Sequence, residues 1–83
     1  MDEPEIGVIT HYFPKVGVAV VKASAIIKTG DMIHIKGHAA DFVQVVESMQ
    51  VEHKQVTEAK PGDEIGMKVS QECHEHDKVY KAV

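Results

Sequence analysis

The chain has 83 residues, of which 43% are hydrophobic, and a net charge of −4 at pH 7. This length corresponds to one domain with one modest core. Its nine basic residues are all lysine, against thirteen acidic residues. This balance disfavours a free-standing, tight RNA-binding protein, because arginine supplies the planar fork and stacking surface that bases require.

Valine and isoleucine dominate the aliphatic residues, and leucine is absent. Because β-branched side chains favour strands and leucine favours helices, the composition predicts an all-β fold in a single domain, residues 1–83. One cysteine excludes an intrachain disulfide and fits a reducing compartment. The acidic start lacks a signal-peptide layout, and no apolar run reaches the ~20 residues of a membrane span. We therefore expect a cytoplasmic protein without membrane contact.

In chain order, the alternation of apolar and polar residues predicts strands at residues 5–13, 16–23, 32–36, 63–69 and 78–83. Residues 41–56 fit two interpretations. Their valine content favours strand, whereas helical spacing connects four apolar residues, Phe42, Val45, Val46 and Met49. The expected core consists of eight inward-facing aliphatic side chains: Val18, Val20, Ile33, Ile35, Val51, Ile65, Met67 and Val79.

A Gly-Asp pair precedes two of these strands, at Gly30-Asp31 and at Gly62-Asp63. Glycine adopts positive φ without a Cβ clash, and an aspartate side chain accepts hydrogen bonds from nearby backbone N–H groups. Each pair therefore predicts a tight turn into a strand, and Asp77 before Val79 is a degenerate third copy. Repeated turns between short strands predict a small antiparallel barrel, closed by six to seven strands so that no sheet edge is free.

Residue types that can ligate a metal ion cluster at Cys73, His74 and His76. Thiolate and imidazole suit zinc, but a structural zinc site needs four ligands. The acidic neighbours of Cys73 also oppose formation of a thiolate, which a nucleophile requires. We expect the protein to be a non-enzyme without cofactor or metal.

Two surface segments are candidates for contact with a partner. His11, Tyr12, Phe13 and Lys15 surround a Pro-Lys turn, where exposed aromatic rings can form an adhesive loop; alternatively, one ring caps the end of the barrel. His34, Lys36 and His38 alternate outward and predict a mildly basic patch that responds to pH, or simply a solvated strand face.

The turn motifs also carry a family resemblance. Residues 26–37 (IIKTGDMIHIKG), 46–54 (VESMQVEHK) and 58–66 (EAKPGDEIG) together resemble the second domain of translational GTPases such as elongation factor Tu. The resemblance implies a closed barrel of that type, and it resolves residues 41–56 in favour of strand. It also implies that Cys73 is a core residue and that His74 and His76 are surface turn residues. The chain is also similar to the small C-terminal barrel carried by collagenase-like peptidases.

In elongation factor Tu this barrel helps to hold the aminoacylated end of tRNA, and the matching positions here are Gln50, Glu52, His53 and Glu64. Two carboxylates at such positions repel a phosphate backbone, so we expect weak or no RNA binding by the chain alone. The chain also has no Gly-x-x-x-x-Gly-Lys-[Ser/Thr] phosphate loop, so no nucleotide is expected.

The resemblance therefore implies a non-enzymatic binding module that docks on the translation machinery, a ribosome-associated complex or another protein complex. Two alternatives stay open at this point. One is an accessory barrel that acts in trans with a collagenase-like peptidase or an RNA-modifying enzyme. The other is a small metal- or ligand-binding protein, which rests on the six histidines of the chain.

Overall fold

A computed structural model of the chain describes residues 4–37 and 40–82. These residues form strands and turns, and the prediction of an all-β antiparallel fold is confirmed. The strands are β1 (Glu5–Phe13), β2 (Val18–Ala23), β3 (Ile27–Lys28), β4 (Met32–Lys36), β5 (Asp41–Val45), β6 (Met49–Val51), β7 (Lys54–Val56), β8 (Glu58–Ala59), β9 (Glu64–Lys68) and β10 (Lys78–Lys81). Within the described ranges, no helix is long and apolar enough to cross a membrane.

Eight strands form one curved sheet in the order β5-β4-β10-β1-β2-β9-β6-β7, and β3 pairs with β8 separately. The sheet is an open half-barrel, so the predicted closed barrel of six to seven strands is wrong. The physical reason is visible at β5, which has no backbone pairing with the segment after β9. A side chain bridges the gap instead. The Gln44 side-chain amide donates to the Lys68 carbonyl (2.9 Å) and accepts from the Ser70 N–H (2.7 Å) across the gap.

The predicted repeat of turns is confirmed in the hydrogen bonds of its first two copies. Asp31 Oδ2 accepts from the Lys28 N–H at 3.0 Å, and Asp63 Oδ2 accepts from the Lys60 N–H, also at 3.0 Å. The glycine before each aspartate has a φ near +90° (91° at residue 30 and 94° at residue 62), which a Cβ would disfavour.

The third copy has the same geometry without glycine. Asp77 Oδ2 accepts from the His74 N–H at 2.9 Å, and His76 takes the left-handed position with φ 74°. This turn also joins β1, because the Ile9 N–H donates to the Asp77 carbonyl and the His76 N–H donates to the Ile9 carbonyl, both at 2.8 Å. Asp77 is consequently only 3% exposed.

The core lies on the concave side of the sheet, and most of the predicted core residues are in it. Ile33, Ile35, Ile65, Met67 and Val79 are buried, as predicted, and Val51 is partly buried against them. The prediction is wrong for Val18 and Val20, because β2 has the opposite phase: Ala19, Val21 and Ala23 face the core. Small residues fit there because β1 approaches closely; a Cβ on Gly7 would lie 2.7 Å from Val21 Cγ1.

Residues 41–56 form strands β5, β6 and β7, so the helical interpretation is wrong and strand is confirmed. Val46, which completed the helical spacing, ends β5 by joining the first Gly-Asp turn. Its N–H donates to the Asp31 carbonyl and its carbonyl accepts from the Gly30 N–H, both at 2.8 Å. These two bonds continue the pairing of β5 past the first residue of β4, as an extended segment does and a helix does not.

Candidate functional site

A groove of about 290 Å³ lies on the outer face of the sheet, where β1, β2, β9 and β6 are neighbours. Its lining residues are Phe13, Val18, Val20, Gln50, Glu52, His53, Glu64 and Gly66. All four positions carried over from the translation-factor resemblance are among them. They meet because β6 pairs with β9, which brings the β6–β7 turn beside the start of β9. The expectation of weak or no RNA binding at these positions stays a prediction.

The floor of the groove is apolar because of the phase of β2. Since Ala19 and Val21 face the core, Val18 and Val20 point outward. Gly66 lies opposite Val20 on one side and opposite Gln50 on the other. A Cβ on Gly66 would meet its nearest atoms at 3.8 Å and 3.9 Å, which is ordinary van der Waals contact. Glycine at this position therefore leaves the floor of the groove open, although the neighbouring atoms leave enough space for a Cβ atom.

One wall of the groove is the aromatic end of β1. Phe13 is 45% exposed, and its ring lies edge-to-face against His11 with centroids 4.3 Å apart. Tyr12 instead faces inward and packs against the core, as expected for alternating positions of a strand. The predicted adhesive loop is therefore divided between two faces, with Lys15 exposed in the turn that follows.

The other wall is the turn between β6 and β7. Glu52 (φ 52°) and His53 (φ 65°) both occupy the left-handed region, as a two-residue hairpin turn of type I′ requires. Glycine or asparagine usually fills these positions, and a residue with a larger side chain costs about 1 kcal/mol there. The turn holds the Glu52 and His53 side chains at the groove.

The predicted basic patch contains an acidic partner. His34 Nε2 lies 2.5 Å from Asp41 Oδ1, and this hydrogen bond lowers the pKa of the Asp41 carboxyl, with help from the charge of Lys36. His38 lies outside the described residues. The patch is therefore less basic than the lysine and histidine spacing suggested.

Three exposed apolar side chains lie beside this pair, on the outer face of β4 and β5. We name Met32 (43% exposed), Val43 (52%) and Val45 (42%) the edge patch. Met32 pairs with Val45 and His34 pairs with Val43 across the two strands, so the three side chains share one face. β5 is an end strand of the sheet, and the patch therefore borders the open edge.

Cys73 is a core residue, as expected, and is 1% exposed. Burial, and then the negative charges of Asp77 and Glu72, raise its pKa to about 11, so it is a neutral thiol at physiological pH. His74 and His76 are exposed, and His74 Nε2 lies 3.7 Å from Glu72. Among the described residues, no group of three or more His, Cys, Asp or Glu side chains could hold a metal ion.

Comparison with known proteins gives few matches. No family model matches the chain. It is 40% identical over 77 residues to an uncharacterized protease of Methanocaldococcus jannaschii, a match that covers 92% of this chain and 19% of that protein. The chain thus spans about a fifth of the length of that relative.

Solved structures give the fold. The C-terminal domain of a Geobacillus thermoleovorans protein described as a U32 peptidase matches with a TM-score of 0.90 and 24% identity, covering 98% of this chain and 93% of that one. Its selenomethionine variant matches with a TM-score of 0.89 and 24% identity, covering 93% and 98%. The chain is similar in fold to a U32 peptidase C-terminal domain.

These matches overturn the main resemblance. The similarity to the second domain of elongation factor Tu was wrong, and so was the description of the chain as a translation-factor-like protein. The shared motif, a Gly-acid turn before an aliphatic strand, encodes a local geometry that different β folds use. The second resemblance, to the small barrel of collagenase-like peptidases, agrees with the matches.

The groove also contains residues that the sequence analysis missed. Val18 and Val20 were assigned to the core, and Gly66 was noted only within a turn motif. A glycine inside a strand is a recognised sign of a close approach or an unfilled site, so Gly66 was the available signal. The signal for the outward phase of β2 was Lys22, which shares a face with Val18 and Val20, although valine occurs on both faces of the strand.

Proposed function

We propose that the chain is a non-catalytic accessory domain that acts with a collagenase-like peptidase and docks on its catalytic part through the edge patch. The observation that carries this proposal is the 40% identity to one fifth of an archaeal protease, together with a fold similar to U32 peptidase C-terminal domains.

A non-catalytic role is supported by the state of the nucleophile and base candidates. Cys73 is buried, and its raised pKa leaves it protonated; a thiol nucleophile needs the opposite conditions. His34 is hydrogen-bonded to Asp41 on the outer face. The exposed His74 lies near Glu72 rather than beside an accessible nucleophile.

The edge patch suits contact with a larger protein. Exposed apolar side chains on an end strand are a hazard for an isolated domain, and natural proteins usually cover or charge such an edge. Since the chain covers 19% of the archaeal relative, about four fifths of that protein lies outside the matched segment. That remainder is the occupant we propose for the patch.

Calorimetry tests this proposal directly. The chain is titrated into the archaeal protease from which the matching segment has been deleted, and we expect stoichiometric binding. Changing Val43 and Val45 to serine should weaken binding at least tenfold, because burial of each side chain contributes about 1.5 kcal/mol. Val16→Ser is the matched control, because Val16 is 59% exposed in the β1–β2 turn. Absent binding, or equal loss in the control, would contradict the proposal.

A further inference from the structure

We infer that the groove between Phe13 and the Glu52-His53 turn binds the side chain of an arginine or lysine residue in an extended polypeptide. The inference deepens the proposed function, on which it rests in taking a polypeptide as the ligand. The groove is formed by β1, β2, β9 and β6, whereas the edge patch lies on β4 and β5, so the two surfaces are separately testable.

The shape of the groove fits one long side chain. Val18, Val20 and the bare backbone of Gly66 form an apolar floor, which can cover the aliphatic stem of lysine or arginine. A volume of about 290 Å³ is at the lower limit of small-molecule sites, which begin at about 300 Å³. A volume at this lower limit has room for one long side chain.

The rim supplies the chemistry that recognises a cation. Glu52 and Glu64 are exposed carboxylates beside the apolar floor, and carboxylates pair with guanidinium groups through charge-assisted hydrogen bonds. The exposed ring of Phe13 offers a face on which a planar guanidinium stacks. Arginine should consequently bind better than lysine, because it uses the ring and the carboxylates together.

Two lysines lie next to the groove and could favour an acidic ligand instead of a basic one. Lys22 lies opposite Glu64, and Lys68 lies opposite Val18, in the pairing of β2 with β9. Glu52, in the β6–β7 turn, lies outside this pairing. If the charges of the two lysines outweighed those of Glu52 and Glu64, the groove would bind an acidic side chain more tightly than a basic one. The experiment below compares the two.

The experiment is an NMR titration of the chain with blocked pentapeptides that carry arginine, lysine, norleucine or glutamate between glycines. We expect the arginine peptide to shift the amide signals of Phe13, Gln50 and Gly66 and to bind roughly tenfold more tightly than the norleucine peptide. The lysine peptide should be intermediate. Equal binding of norleucine, preference for glutamate, or shifts confined to the edge patch would overturn the inference.

Variants separate the groove from the fold. Glu52→Gln with Glu64→Gln should abolish the preference for arginine over norleucine, whereas Glu58→Gln, on the separate β8 strand, should leave it unchanged. Gly66→Val should block all peptides, because its side chain occupies the floor; its Cβ would lie 3.8 Å from the nearest atom, Val18 Cγ1. If Gly66→Val fails to fold, the glutamine variants decide the question. Peptide binding that survives the change of Val43 and Val45 to serine shows that the inference holds even where peptidase docking fails.

Discussion

The three aspartate turns form a natural stability series, because the same hydrogen bond occurs in different surroundings. Asp31, Asp63 and Asp77 each accept a backbone N–H from the residue three positions earlier, at 3.0, 3.0 and 2.9 Å. Loss of such an acceptor costs about 1 kcal/mol where water can replace it. Asp77 is 3% exposed, so its removal should cost about 2–3 kcal/mol, because the His74 N–H loses its partner and a cavity is left.

Equilibrium urea denaturation at pH 7 measures these differences. We expect Asp31→Ala and Asp63→Ala to lower the free energy of unfolding by similar amounts, and Asp77→Ala by two- to threefold more. Asp77→Asn keeps an acceptor oxygen and should recover about half of the loss. A domain of this length has a total stability of ~4–12 kcal/mol, so all variants should remain measurable.

A substitution at Gly37 tests whether the Asp77 side chain is tightly packed against its neighbours. A Cβ on Gly37 would lie 1.9 Å from Asp77 Oδ1. Gly37→Ala should therefore lower the free energy of unfolding of the wild type by ~1–3 kcal/mol. The same change should cost less in the Asp77→Ala background, where the carboxylate is gone. Equal losses at all three aspartates, or additive losses at residues 37 and 77, would refute the assignment of Asp77 as the buried member of the series.

Three further predictions concern single side chains. The pKa of Asp41 is lowered chiefly by its hydrogen bond to His34, so the stabilisation is present above about pH 4, the unfolded value, and is lost as pH falls through the lower folded value. NMR titration of Asp41 in wild type and in His34→Ala should show most of this lowering lost, while the weaker effect of Lys36 remains. Cys73, with a pKa of about 11 and 1% exposure, should resist iodoacetamide at pH 8 until urea unfolds the chain; rapid native alkylation would contradict its core position. Gln44→Ala removes both bonds across the sheet opening and should speed hydrogen exchange at the Ser70 amide; unchanged exchange would show that the amide does not hold the opening.

Local features of the fold were predictable because they depend on a few neighbouring residues. The bounds of β1 and β4 and the strand-forming turns at Asp31 and Asp63 follow from alternation and turn chemistry. The phase of β2 was missed because valine occurs on both of its faces. Lys22 on the outward face was the local signal, and the close approach of Gly7 to Val21 agrees with the buried phase.

The opening of the sheet and the groove depend on long-range relations. Whether β5 reaches β9 is decided across 24 residues, where Gln44 contacts Lys68 by a side chain instead of a strand pairing. Four groove positions came from a resemblance whose family was wrong. Their proximity follows from the pairing of β6 with β9, which no local pattern of the sequence encodes.

The position of β10 in the sheet has a consequence for synthesis of the chain. This strand, Lys78–Lys81, lies between β4 and β1 and pairs with both. During translation the β1–β2 and β4–β5 hairpins emerge first, each with an unpaired edge exposed to other nascent chains. The strand that pairs with both hairpins is available only once residues 78–81 have been made. A nascent chain that lacks residues 78–81 therefore cannot form the continuous eight-stranded sheet.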